Sequence, residues 1–120
     1  MTLRDREAFL WDMLQAARHI ESFIKGKTLQ EYEEDDLLRS GVERQFLIIG
    51  EAAGQAVRRF PELEDEISSL GRIIAFRNRL VHGYAVISND VVWAIAHDEL
   101  PELRGILEPL LEDHLGKNTI

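Results

Sequence analysis

The sequence predicts an all-α protein, a single domain over residues 1–120 built as a helical bundle of about four main helices. Apolar residues recur at every third or fourth position through long stretches, which is the spacing of an amphipathic helix. Capping residues stand before several of these stretches, and no segment alternates apolar and polar residues for long enough to build a sheet. The composition, 45% hydrophobic and 30% charged, is ordinary for one globular domain of this length.

The first stretch predicts a helix of about 20 residues that starts after Thr2 and ends near Gly26. Its apolar positions are Phe9, Leu10, Met13, Leu14, Ala17, Ile20 and Ile24. Thr28 and Glu31 form a capping-box pair, which predicts the start of a short second helix. The acidic run from Glu31 to Asp36 is typical of a solvated face. A metal site is the alternative, but consecutive side chains on a helix point in different directions.

The stretch from Leu37 to Phe60 predicts a long helix with one apolar and one polar side. Its core positions are Val42, Phe46, Ile49, Ala53, Ala56 and Phe60, and its polar side carries Arg44, Glu51, Gln55 and Arg58. Small residues from Ala52 to Ala56, Gly54 among them, allow another helix to approach closely. Arg44 and Glu51 are seven apart and share a face. That face is either a solvated stripe or a lining that meets Arg77, with Glu51 orienting an arginine.

The next segment predicts two short helices. Pro61 ends the preceding helix and begins a short one through Ile67, and Gly71 separates that helix from the second. Apolar residues from Ile73 to Val81 predict the second short helix, and Gly83 is expected to end it.

The last stretch predicts a long helix. It begins at the capping cluster Ser88-Asn89-Asp90, and its apolar pattern continues to Leu111. Pro101 lies inside this pattern, which predicts a kink or a break between Asp98 and Leu100.

Composition limits the classes of function. The chain has no cysteine, which excludes disulfides and thiolate catalysis and suits a reducing compartment. No apolar run approaches the ~20 residues of a membrane span, and the N-terminal segment does not resemble a signal peptide, so we expect a cytoplasmic protein. The net charge of −8 argues against a protein that coats nucleic acid by bulk charge. It leaves room for one basic site that handles an anionic substrate.

Such a basic site is indicated by the stretch Arg77-Asn78-Arg79-Leu80-Val81-His82-Gly83-Tyr84. No acidic residue occurs between Glu66 and Asp90, while Arg72, Arg77 and Arg79 supply three positive charges there. A cation cluster with one histidine suits an anionic ligand, and phosphate is the obvious candidate.

Arginine and histidine together suit metal-free cleavage of RNA, in which the substrate supplies its 2′-hydroxyl as nucleophile. His82 can exchange a proton near neutral pH, and Arg77 can stabilise charge that grows on the phosphate. One histidine does not easily serve as both base and acid, whereas two facing subunits would supply two. The structural alternative is that His82 caps a helix while Arg77 pairs with an acid such as Glu51.

Helix geometry adds a constraint on this pair. Asn78 is four residues before His82 and can orient its imidazole. Arg77 is five residues before His82, which places the two about 140° apart around an ideal helix. Convergence therefore needs a helix end at Gly83, the reach of the arginine side chain, or a second copy of the site across a dimer. Tyr84 is open to packing, base stacking, phosphate hydrogen bonding or modification.

The pattern Arg77-x4-His82-x-Tyr84, with Asn78 after the arginine, resembles the signature of the HepT-like toxins, which belong to the helical HEPN class of ribonuclease domains. The opening amphipathic helix, the Arg44–Ala53 segment with its Ile-Gly-Glu-Ala core, and Val92-Trp93 are similar as well. The likeness covers nearly the whole chain. One segment departs from it, because this chain has Leu70-Gly71 where relatives often carry an aromatic residue.

The resemblance implies a homodimeric endoribonuclease toxin of a type VII toxin–antitoxin pair, with two motifs facing a shared cleft. It implies that Arg77 and His82 are the catalytic residues, supported by Asn78, Arg79 and Glu51, and that no cofactor is needed. It also implies that a cognate nucleotidyltransferase antitoxin adds AMP to Tyr84 and so silences the toxin.

Two other interpretations stay open on the residues alone. The chain could be a non-catalytic helical module that binds a nucleotide or a nucleotidyltransferase. It could also be a structural dimer with an exposed loop at Gly83.

Overall fold

A computed structural model describes residues 3–82 and 87–118, with side chains at 5–82 and 87–112. Every element in these ranges is helical and none is a strand, which confirms the all-α prediction. The helices are α1 (Leu3–Ile24), α2 (Leu29–Glu34), α3 (Asp36–Arg59), α4 (Leu63–Glu66), α5 (Leu70–His82), α6 (Asn89–Ala94), a π-helical turn (Ile95–Glu99) and α7 (Leu100–Asn118).

The end of α1 and the start of α2 follow the predicted chemistry. Gly26 has a φ of 73°, the left-handed conformation that glycine adopts without a steric penalty at a helix C-terminus. Thr28 Oγ1 accepts a hydrogen bond from the Glu31 backbone N–H at 3.1 Å, and the Glu31 carboxylate accepts one from the Thr28 N–H at 3.0 Å. The capping box is therefore confirmed. Thr2, the predicted cap of α1, lies outside the described residues.

The acidic run between Glu31 and Asp36 supports helix termini. The Asp35 side chain accepts a hydrogen bond from the Leu38 N–H at 3.0 Å and caps α3, while Asp36 pairs with Arg39. Across residues 5–82 and 87–112, no three histidine or acidic side chains stand close enough to hold a metal ion.

The core lies where α1 and α3 pack along each other, with α5 against α3 and α7 against α1. Five of the six predicted core positions of α3 are buried and Phe60 is half-buried. Charged pairs join the outer elements: Arg104 Nε lies 2.9 Å from Glu21 Oε1 between α7 and α1, and Arg6 pairs with Glu66.

The start of α5 differs from the prediction. Gly71 was expected to separate two helices, but α5 begins at Leu70 and includes Gly71 in its first turn. The separation falls earlier, at Ile67, whose extended backbone ends α4. Burial of Leu70 decides this, because the leucine anchors the first turn of α5 in the core and extends the helix across the glycine.

Near the kink or break predicted between Asp98 and Leu100, the last helix stays helical and contains a π turn over Ile95–Glu99. Pro101 has no backbone N–H to continue an α-helical ladder, which favours a local change of register. The Leu100 N–H donates five residues back, to the Ile95 carbonyl. The C-terminal segment is therefore α6, the π turn and α7 in succession.

Candidate functional site

Arg77 reaches from α5 to α3, where an acidic residue receives it. Its Nη2 lies 2.6 Å from Glu51 Oε2, and its Nη1 donates to Asn78 Oδ1 at 3.1 Å. The guanidinium plane is thereby held from two sides. The contact expected between Glu51 and Arg77 is present, as both the functional and the structural interpretation of the sequence required.

The stem of Arg77 lies directly on α3 at Gly50. A Cβ atom at Gly50 would stand 2.1 Å from Arg77 Cβ and 2.3 Å from its Cγ. The close helix approach was predicted at small residues from Ala52 to Ala56, but Gly54 has open space at its Cβ position. The difference lies in the register of α5 along α3, which the spacing of small residues does not define.

A groove of about 420 Å³ opens beside this contact, between α1, α3 and α5. Its polar lining consists of Asp12, Arg44, Glu51, Gln55 and Arg77, and its apolar lining includes Leu47, Ile48 and Val81. Three positions of the predicted polar face of α3 line the groove that Arg77 borders, and two of them, Arg44 and Glu51, are also exposed to solvent. Arg44 is exposed, and it makes no ion pair with any residue the structure describes.

His82 is the last residue of α5 and is exposed, as are Asn78 and Arg79. Because α5 is helical through His82, the imidazole and Arg77 leave the helix about 140° apart and ~7.5 Å apart along its axis. Asn78, expected to orient the imidazole, instead accepts its hydrogen bond from Arg77. Within one chain, the structure therefore joins Glu51, Arg77 and Asn78 and leaves His82 apart from them.

Arg79 lies on the other flank of α5, about 200° around the helix from Arg77. There it borders a second groove with Phe76 and Ile95, where Arg72 Nη2 lies 3.4 Å from Glu99 Oε1. Arg79 is three residues before His82 and shares its side of the helix. The structure thus groups Arg79 with His82 rather than with Arg77.

Two predicted positions cannot be placed in this geometry: Tyr84, the expected site of modification, and Gly83, the expected end of α5, lie outside the described residues. Across the described helices, none is both long enough and apolar enough to span a membrane.

The fold and the site together define a helical bundle that presents an oriented guanidinium beside a groove and an exposed histidine on the same helix. Comparison with known families places this chain among ribonucleases. The family described as "Ribonuclease HepT-like" matches residues 13–110, and the chain belongs to that family.

Similar proteins cover almost the full length of the chain. "Putative RNase MJ1216" of Methanocaldococcus jannaschii is 29% identical over 118 residues, 98% of this chain and 97% of the relative. "Putative RNase MJ1380" of the same organism is 30% identical over 90% of this chain and 98% of its own length. "Probable ribonuclease HepT" of Thermococcus cleftensis is 28% identical over 89% and 96%. No solved structure matches the sequence.

Proposed function

We propose that this protein is a metal-independent endoribonuclease, the toxin of a type VII toxin–antitoxin pair, with Arg77 and His82 as its catalytic residues. The observation that carries the proposal is the fixed Arg77 guanidinium, held by Glu51 and Asn78 at the edge of an open groove. Membership of the HepT-like ribonuclease family supports the substrate class. A guanidinium fixed before the substrate arrives can stabilise phosphate charge without reorganising during the reaction.

The reaction we propose is an internal transesterification of RNA. A histidine removes the proton from the 2′-hydroxyl, whose oxygen forms a bond to the adjacent phosphorus. The bond from phosphorus to the 5′ oxygen breaks, and a second imidazolium protonates that leaving oxygen. The products are a 2′,3′-cyclic phosphate and a 5′-hydroxyl. Arg77 donates to the non-bridging phosphate oxygens, whose negative charge increases in the transition state.

The site we propose is shared by two subunits of a homodimer. Within one chain, Arg77 is tied to α3 through Glu51, while His82 points about 140° away from it. With its guanidinium paired to Glu51, the Arg77 side chain extends toward α3 and away from the histidine of its own chain. Two α5 helices facing each other across a two-fold axis supply both a base and an acid, and place each His82 opposite a partner's site.

The supporting residues act on different parts of this site. Glu51 and Asn78 hold the guanidinium plane, and Arg79, on the same side of α5 as His82, attracts the RNA backbone. Arg44 has no acidic partner among the described residues and lines the same groove as Arg77. It is suited to a phosphate adjacent to the scissile one.

The proposal extends to control by a nucleotidyltransferase antitoxin that transfers AMP to the hydroxyl of Tyr84. Tyr84 stands two residues after His82, so an added AMP would bring bulk and negative charge to the end of α5. Incubation with the antitoxin and ATP is expected to increase the intact mass of the wild-type chain and not that of Tyr84→Phe. An unchanged wild-type mass, or an equal increase in the variant, would contradict this assignment.

The nuclease proposal is tested by cleavage of a fluorophore-labelled single-stranded RNA in excess EDTA. Wild type is expected to cleave this RNA. The cleavage rates of Arg77→Ala and His82→Ala are each expected to be lower by about 100-fold or more, because removal of one transition-state donor or one acid–base group typically has an effect of that size. Arg58→Ala is the matched control, because Arg58 is an exposed cation of α3 outside the groove. In cells, both catalytic variants should relieve growth arrest.

Two results would refute the nuclease assignment. Both catalytic variants could remain as toxic as wild type, or EDTA could abolish cleavage. A chain that binds RNA or the nucleotidyltransferase but never cleaves RNA would instead be the non-catalytic binding module.

A further inference from the structure

At one point along α3, a glycine lies directly against the stem of Arg77, the arginine proposed as catalytic. At Gly50, an added Cβ would stand 2.1 Å from Arg77 Cβ, 2.3 Å from Cγ and 3.4 Å from Cδ. Ordinary contact between carbon atoms begins near ~3.5 Å, so a methyl group here requires a relative shift of about 1.4 Å. Rotation of the Arg77 side chain cannot supply that shift, because the position of Cβ is fixed by the backbone of α5.

Other glycines of α3 do not face such an obstacle. Gly54 has nothing within 4 Å of its Cβ position, and Gly41 meets only the edge of the Phe23 ring at 3.4 Å. A glycine inside a helix is less favourable than alanine by about 1 kcal/mol. Among the three glycines of α3, an added Cβ would overlap a neighbouring side chain at Gly50 alone, and that side chain is Arg77.

The residue that follows Gly50 receives the other end of the same side chain. Glu51 Oε2 lies 2.6 Å from Arg77 Nη2. Between these two contacts, Arg77 Nε is buried and has no hydrogen-bond partner among the described residues. Two consecutive residues of α3 therefore contact the arginine, one at its stem and one at its guanidinium.

We propose that Gly50 is a positioning residue for catalysis: it admits the Arg77 stem against α3 and thereby sets where the guanidinium meets the RNA phosphate. The inference rests on the proposed nuclease function. Gly50→Ala moves α5 away from α3, lifts the Arg77 stem and loosens the contact with Glu51. A misplacement of about 1 Å can lower a rate about 100-fold, and we expect a decrease of that order in kcat, with KM changed less than about threefold.

The test compares Gly50→Ala with Gly54→Ala, which makes the same substitution four residues later on the same helix. Circular dichroism and thermal unfolding establish that each variant is folded. The labelled RNA then gives kcat and KM. Gly54→Ala is expected to match wild type in both constants, since an added methyl group meets no neighbour there.

A second measurement reports on Arg77 without any RNA. The side-chain Nε–H of a buried arginine exchanges slowly with solvent and gives its own ¹H–¹⁵N signal, identified here by its loss in Arg77→Lys. Gly50→Ala is expected to increase the exchange rate of this proton at least tenfold, and Gly54→Ala to leave it unchanged. A purely structural effect of Gly50→Ala would lower stability without selectively exposing this proton.

If Gly50→Ala does not fold, a compensating substitution at Arg77 tests the same contact. Arg77→Gly removes the Cβ that the new methyl group would strike. The double variant Gly50→Ala/Arg77→Gly is therefore expected to fold as stably as Arg77→Gly alone. A double variant no more stable than Gly50→Ala would overturn the proposed contact.

The activity results separate this inference from the nuclease proposal. Wild-type kcat in Gly50→Ala with a protected Nε–H, or an equal loss in both glycine variants, would overturn the positioning role. Absence of RNA cleavage by wild type itself would overturn the nuclease proposal, while the exchange measurement would still decide whether Gly50 places Arg77.

Discussion

Replacing His82 in only one subunit is expected to inactivate the whole of the proposed dimer. The expectation follows from α5, which is helical from Leu70 to His82 and directs Arg77 and His82 about 140° apart. Arg77 is held on its own chain by Glu51. If one histidine is the base and its two-fold mate the acid, a dimer with a single His82 lacks one of the two proton-transfer steps.

The activity that remains in a mixture of wild-type and His82→Ala chains depends on the fraction of dimers that carry two histidines at position 82. In an equal mixture with free subunit exchange, about one quarter of the dimers carry two wild-type chains. A shared site therefore retains about a quarter of the wild-type activity at equal total protein, whereas chains that act singly retain about half. Loss of a general acid or base costs roughly 100-fold to 10,000-fold, so the mixed dimer contributes almost nothing to the total.

The assay uses two affinity tags, one on wild-type chains and one on His82→Ala chains, and purifies the mixed dimer in two successive steps. Its cleavage of labelled single-stranded RNA is compared with that of a doubly tagged wild-type dimer. We expect less than a tenth of the control rate. A mixed dimer with half the control rate would refute the shared site, and a monomer in sedimentation at micromolar concentration would refute it directly.

Three further predictions concern single side chains. Glu51→Gln should lower kcat about tenfold while changing the free energy of unfolding by less than about 1 kcal/mol, because the ion pair with Arg77 is partly exposed; an unchanged kcat in a steady-state assay would contradict its orienting role. Arg44→Ala should increase KM for RNA about fivefold through the loss of one charge-assisted phosphate contact, and Arg58→Ala should not. Burial raises the pKa of Tyr32 to about 12, so the folded phenol keeps its proton while the unfolded one ionises above its usual pKa near 10. Stability should therefore decrease between about pH 10 and pH 12 by up to roughly 3 kcal/mol, a decrease that denaturant titrations should not find in Tyr32→Phe.

Local signals in the sequence predicted most of the helix boundaries. Thr28 and Glu31 form their capping box within four residues, and Gly26 takes the left-handed conformation that ends α1. Both features depend on neighbours along the chain, so the sequence is sufficient to find them. The boundary predicted at Gly71 was wrong, because Leu70 is buried in the core and α5 begins there, before the glycine. This burial is a tertiary effect.

The candidate site was only partly predictable for the same reason. The basic stretch and the polar face of α3 could be read from charge and spacing, and of the basic residues in that stretch Arg77 contacts α3, at Glu51. Gly50 was not singled out as a contact residue, although it precedes Glu51. The sequence signal for such a contact was a glycine inside an amphipathic helix. A glycine there lowers helix stability, so its presence indicates that another element packs into the space.

The sequence by itself determined the helical class, the glycine cap at Gly26, the capping box of Thr28 and Glu31, and the identity of the basic stretch. These follow from periodicity and local hydrogen bonding, which act over a few residues. Only the tertiary structure decided that Gly50 and Glu51 hold the two ends of Arg77, that Asn78 serves the arginine, and that His82 stands apart from both. The physical reason is that such contacts depend on the register and distance between packed helices, which the packing of the entire core sets.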